Sequence, residues 1–283
     1  MAVSTARIAS RRISNSIFVT FCVAVTVIAL TALALILFSL ISQGLAALGP
    51  DLFTKSTPAA GTPGGLINAI VGSIMMSGLG MVIALIVGIL AGTWLAEFAG
   101  DSPYGGAVRF LNDVLLSAPS ILIGLFVYEI LVAPFKGFSG FAGAVALAFL
   151  AAPVITRTTE DVLKLQPTAL RESGVALGSP MWHVICSVIW RAGTSGILTG
   201  ALLAFARISG ETAPLLFTAL NNQFFNWNMT KPMANLPVVI FQFALTPYPD
   251  LNRLAWAGAL LIAATVLGVT LLARAFSRES RSS

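Results

Sequence analysis

The sequence predicts an all-α membrane protein of about six transmembrane helices, on three observations. Hydrophobic residues fill 57% of the 283 positions and charged ones only 10%, against roughly 25% charged in a soluble domain. Apolar windows recur from Ile17 to Ala273 with no polar block of soluble size between them, which reads as one membrane domain. Lys and Arg collect in alternate connecting segments, the pattern of a multi-pass inner-membrane chain. The net charge of +5 does not indicate a nucleic-acid partner, because the basic residues lie singly between apolar windows and form no contiguous stripe.

Crossing a hydrocarbon core of about 30 Å takes about 20 predominantly apolar helical residues. Ile17–Ser42 is uncharged and, although it follows Arg7, Arg11 and Arg12, is much longer than the apolar core of a signal peptide, so it is read as a span. Leu66–Ala96 is uncharged and long enough to tilt or kink. Val114–Ala133 carries Glu129 near its outer end and Pro119-Ser120 within it; the proline should break the helix, and the freed backbone groups need protein or cavity water around them. Ser120 is therefore a candidate path residue. Gly137–Thr156 is uncharged, Ala192–Ala219 contains Arg207 and Glu211, and Leu254–Ala273 closes the set. Gly88/Gly92 and Gly196/Gly200 have the small-x-x-x-small spacing that lets helices approach closely.

With the amino terminus inside, eleven basic residues (Arg7, Arg11, Arg12, Arg109, Arg157, Lys164, Arg171, Arg191, Arg274, Arg278 and Arg281) fall in cytoplasmic segments, and four (Lys55, Lys136, Lys231 and Arg253) fall outside. That bias puts both termini in the cytoplasm. The expected organisation is a cytoplasmic segment 1–16, a transmembrane domain 17–275 with a large cytoplasmic loop 157–191, and a tail 276–283. The outer loop 220–253 holds a ten-residue apolar patch, Leu236–Leu245, too short to span, which either dips into the membrane or packs on the bundle.

Within loop 157–191, Pro167 to Gly178 reads as a short helix with proline in its first turn and glycine past its end. Ser179-Pro180 then caps a second helix. Such an elbow either projects toward a partner or folds back on the lipid surface. The chain has no Gly-x-x-x-x-Gly-Lys-Ser/Thr phosphate cradle, so any ATP-driven step needs another subunit. His183 has no second ligand nearby, and Cys22 and Cys186 lack metal or paired spacing; no metal site is expected.

Arg207 and Glu211, four apart, are expected on one face of the fifth helix. At about 1.5 Å per residue Arg207 lies roughly 22 Å from the Ala192 end. Ionisable groups so deep face the bundle interior or a water-filled cavity. Two roles fit the pair: an ion pair that locks the helix, or a guanidinium offered to a passing anion and held by Glu211, since a planar fork of donors matches phosphate oxygens better than an ammonium does.

Glu172-Ser-Gly-Val-Ala-Leu-Gly178, followed by an apolar run to Trp190, resembles the EAA loop of ABC importer permeases, which forms a coupling helix seated in a cleft of the ATPase. It departs from that pattern at Ser173 and Gly174, usually alanines, and at Arg191, usually proline. The match rests on Glu172, Leu177 and Gly178, with Ala169, Leu170 and Ala176 offering small apolar contacts. Leu116–Phe126, Ala152–Glu160, Gly196–Phe217 and Leu236–Phe241 are similar, in order, to segments of PstA-type permeases of phosphate importers, and the resemblance covers about residues 66–275. It implies the type I ABC importer permease (MetI-like) fold. It also implies a heterodimer with a second related permease (PstC-type), two ATPase subunits (PstB-type) that use ATP and Mg, and an extracytoplasmic phosphate-binding protein (PstS-type). Glu172, Leu177, Gly178 and Leu170 would couple to the ATPase, and Arg207, Glu211 and Ser120 would line the path. No cofactor is expected on this chain itself. A permease for sulfate, molybdate or an amino acid is the nearest alternative. An intramembrane enzyme is disfavoured by the lack of a Ser-His pair or paired aspartates within the spans.

Overall fold

The computed structural model describes residues 5–279, with side chains for residues 11–275. Arg7, Arg278 and Arg281, used in the charge argument, have side chains outside the described residues. Helix α1 (Thr5–Ala46) leads through the short α2 (Asp51–Thr54) to α3 (Ile67–Glu97), α4 (Pro103–Ser117) and α5 (Ser120–Val127), which runs on as a π-turn at Tyr128–Val132. Then come α6 (Gly140–Lys164), α7 (Thr168–Ala176), α8 (Met181–Val184), a π-turn at Ile185–Ile189 and α9 (Trp190–Ile208). The chain ends with α10 (Ala213–Thr218), α11 (Leu236–Ala244) and α12 (Pro249–Glu279). Among the described residues, five stretches are long and apolar enough to cross a membrane, or six if α4 and α5 count as one broken span.

The most enclosed span is α6, gripped by α3 on one side and α9 on the other. Glycines make that approach possible. A Cβ at Gly88 would stand 2.8 Å from the Ile155 side chain, and one at Gly92 only 2.6 Å from the Thr156 carbonyl. On the other side Gly196 faces Val162 and Gly200 faces Thr158 at similarly short range. Both small-residue pairs thus pack against α6, where backbone proximity replaces the hydrophobic drive that lipid removes. Met76, Leu147, Ile155, Ala204, Ile208 and Leu215 fill the core between these helices.

A second core of Leu66, Val239, Phe243 and Leu251 joins α3, α11 and α12. The apolar patch 236–245 is therefore a packed helix, α11, with Asn235 accepting a hydrogen bond from the Val238 N–H at its start. α1 packs on α12, where Gly44 meets Leu260, and most of its described surface is exposed.

Two expected spans are drawn differently by the backbone. The third is not straight: α4 starts at Pro103, and the chain turns by 106° between Ser117 and Ser120. Ala118 and Pro119 are extended there, because the residue before a proline is pushed out of the helical region. The fifth begins earlier, at Met181, and ends at Ile208; Ser209–Thr212 breaks it before α10. The loop 157–191 is correspondingly shorter, since Arg157–Lys164 stays in α6 and 181–191 belongs to the fifth span. Ser179 does not cap that span, because Pro180 occupies the cap position without a side-chain hydrogen bond.

The charges sort by end. Arg109, Lys164 and Arg171 meet where α3 and α6 finish. Lys55 and Lys231 lie where those helices begin: the Lys55 carbonyl accepts from Ile67 N and the Lys231 carbonyl from Gly140 N. We refer to the first as the basic end.

Candidate functional site

At the basic end α7 stands clear of the bundle, with none of its nine residues buried. Pro167 takes its N-cap position, and the helix closes with a full Schellman turn: Gly178 N–H donates to Val175 O and Ser179 N–H to Gly174 O. Gly178 has φ +83°, a conformation costing a side chain roughly 1–2 kcal/mol. Gly174 is the position where a Cβ would lie 2.8 Å from both methyls of Val184, so the departure from alanine there follows from close packing on α8. Glu172 and Leu177 are exposed, Leu177 at 87%, and Glu172 has no ion-pair partner among the described residues. Leu170 instead turns inward onto Leu163, Val184 and Ile189. Three of the four expected coupling residues thus share an unburied elbow, and the fourth holds it down.

Sequence reasoning assigned Arg171 only a topological charge, and the structure gives it more. Its Nε and Nη2 donate to both carboxylate oxygens of Glu97 at 2.8 and 2.6 Å. Hydrogen bonding to Glu97, set against partial burial, raises the Arg171 pKa above its ordinary value. A second network lies beside it. Glu160 Oε1 accepts from Arg109 Nε at 2.7 Å and from Lys164 Nζ at 2.6 Å, while Arg109 also donates to the carbonyls of Gly100 and Leu95. Glu97 and Arg171 are 74 residues apart and Arg109 and Glu160 are 51 apart, so no local spacing signals those pairs; only Lys164 and Glu160 are i, i+4 neighbours. The other available cue was an acid near the end of each of two apolar helices, Glu97 and Glu160, which needs a cation once buried.

The other region is the pair of breaks. Gly124 of α5 lies against Pro214 of α10, and farther along Ser139 N–H donates to Thr218 O. α5 and α10 therefore run side by side in the same direction, and Ser120 and Glu211 both lie just before that contact. Arg207 and Glu211 do not share a helix face, because α9 ends at Ile208 and Glu211 N–H donates to the Ile208 carbonyl outside the helix. Gly210 interrupts the run, with Pro214 opening the next helix. Neither side chain makes an ion pair or hydrogen bond among the described residues, so the locking ion pair is absent. Arg207 is exposed, roughly 26 Å along α9 from Trp190, on one face with Leu203 and Gly210. Phe205 and Ser209, on the opposite face, line a mostly apolar cavity of about 340 Å³ with Ser73 and Ser77 of α3 and Ile262 of α12.

Bundled spans, two of them broken side by side, and an unburied elbow at one end are the features of a membrane permease subunit. Residues 84–282 match the family described as "Binding-protein-dependent transport system inner membrane component", and the chain belongs to that family. Its relatives place it among the PstA-type permeases. It is 55% identical over 255 residues to the phosphate transport system permease protein PstA of Haemophilus influenzae, covering 90% of each chain. It is 52% identical to PstA of Pasteurella multocida, over 94% of this chain and 95% of that one. A probable PstA of Methanocaldococcus jannaschii is 35% identical, with 92% of each covered. Among solved structures, the inward-facing MetNI methionine ABC transporter aligns with a TM-score of 0.60 at 18% identity, over 77% of this chain and 95% of that one, a likeness of fold. The protein is thus a multi-pass inner-membrane transport subunit with the MetI-like permease fold.

Proposed function

We propose that this chain forms one half of the membrane path of an ATP-driven importer that brings inorganic phosphate into the cytoplasm. The observation that carries the substrate is the 55% identity to a phosphate permease across nine-tenths of both chains. In this reading the second half-path comes from a PstC-type permease, a PstS-type binding protein delivers phosphate, and two PstB-type subunits bind ATP and Mg. The basic end faces the cytoplasm, as the eleven-to-four distribution of Lys and Arg supports. The exposed elbow with Glu172, Leu177 and Gly178 meets the ATPase, with Leu170 seating it.

Arg207 is the residue through which the path meets the anion. A guanidinium within a span, unpaired among the described residues, costs about 2.5–3.5 kcal/mol if it faces lipid, so it belongs on a watered path or against the partner permease. Its five donors in a fixed fork suit a tetrahedral oxyanion. Glu211 and Ser120, at the adjoining breaks, are the neighbouring polar lining.

The test is uptake of labelled phosphate into proteoliposomes holding the complete complex. Arg207→Lys should lower the rate and Arg207→Gln should lower it at least tenfold, with unchanged subunit recovery and no competition by sulfate in the unaltered complex. Normal uptake by Arg207→Gln would sink the assignment of that residue; competition by sulfate would sink the substrate.

A further inference from the structure

α7 buries nothing of its own, yet it is not loosely attached. Besides Leu170, the Arg171 side chain fastens it. The Arg171 guanidinium spends two nitrogens on Glu97, the last residue of α3, and also reaches the carbonyls of Gln166 at 2.9 Å and Leu163 at 2.8 Å, at the end of α6. Its side chain is 18% exposed and that of Glu97 only 2%. Leu170 and Ala96 pack against the same small apolar cluster with Leu163 and Val184. The Arg171 side of α7 is therefore bound to two spans, while Glu172 and Leu177 stand exposed.

A partner that displaces α7 has two ways to move the membrane part. One follows the chain, through the Gly178 turn into α8 and α9. The other passes through Arg171 into α3 and α6. The second adds orientation, because a bidentate pair fixes direction as well as distance, whereas the first runs through a turn centred on Gly178 and the apolar packing of Gly174 and Leu170 on Val184. α3 is also the wall that faces α9 across the cavity, with Ser73 and Ser77 opposite Phe205 and Ser209. It carries α4 with it, because Arg109 donates to the Leu95 carbonyl in the last turn of α3.

We propose that Arg171 and Glu97 form the joint through which the elbow helix drives α3 and α6 against α9, so that both are positioning residues for transport and not merely anchors of the fold. This rests on the importer reading above. It predicts that a weakened joint lets the ATPase work while less phosphate moves for each ATP consumed.

The experiment uses the complete complex in proteoliposomes, with phosphate uptake and ATP hydrolysis measured on the same vesicles. Arg171→Lys keeps the charge but loses the fork, and Glu97→Gln keeps the shape but loses the charge. Both should assemble to within about twofold of the unaltered complex and still hydrolyse ATP, with phosphate moved per ATP lowered at least tenfold. An unchanged ratio in either assembled variant overturns the proposal. If neither assembles, the pair is an anchor of the fold and the proposal is equally overturned. Failure of the importer reading would look different, because the unaltered complex would then hydrolyse ATP without accumulating phosphate.

Discussion

The basic end and the broken spans handle charge in opposite ways. At the basic end Glu97 and Glu160, each 2% exposed, are met by Arg171, Arg109 and Lys164 at 2.6 to 2.8 Å. At the breaks, Arg207 and Glu211 lie four residues apart and do not pair. The first arrangement binds four elements together inside one chain; the second leaves charges for something outside it. An ion pair closed within the subunit ties its own elements to one another, and a charge left open in a span is an address for a ligand or a partner.

The contrast breaks most visibly if the paired end proves dispensable. Arg109→Ala leaves Glu160 buried with Lys164 as its only cation, and loss of one partner of a buried pair costs about 3–5 kcal/mol. Membrane abundance and the thermal midpoint of the detergent-solubilised complex should both fall clearly; an unchanged melting curve would mean the network holds nothing. A smaller effect is expected at the breaks. Arg207→Gln orphans no buried acid, so the stability of the complex should stay within about 0.5 kcal/mol of the original. Adding Glu211→Gln should then restore no phosphate uptake; restored uptake would reveal a pair that closes elsewhere in the transport cycle. The least effect belongs to Asp161→Asn. Its pair with Arg157 is 3.4 Å long with side chains 57% and 47% exposed, and exposed i,i+4 pairs contribute about 0.3–0.5 kcal/mol, so the same melting curve should not shift measurably.

What could be read from the sequence follows from what hydropathy measures. Leu66–Ala96 and α3 agree almost to the residue because nothing interrupts the apolar run. Val114–Ala133 is just as apolar, but hydropathy is blind to direction, and a 106° turn at Ala118-Pro119 changes no residue's polarity. Gly178 was legible because a Schellman turn is written in local residues. The i, i+4 argument for Arg207 and Glu211 assumed a continuous helix, although Gly210 and Pro214 marked its end. The Arg171–Glu97 and Arg109–Glu160 pairs needed the fold, because α3 must lie beside α6 for Glu97 to reach Arg171, and α4 must pack on α6 for Arg109 to reach Glu160.

The isolation of α1 has a consequence for how the protein is made. Its substantial contact is with α12, where Gly44 meets Leu260 and Arg253 donates to the Ala46 carbonyl. At synthesis rates of 5–20 residues per second, Leu260 is added roughly 10–40 s after Gly44. The first helix must therefore sit in the bilayer without that contact while the intervening residues are made. Its long apolar surface, which gives the finished core almost nothing, suits that waiting period, and the seam between α1 and α12 can close only once α12 has been made.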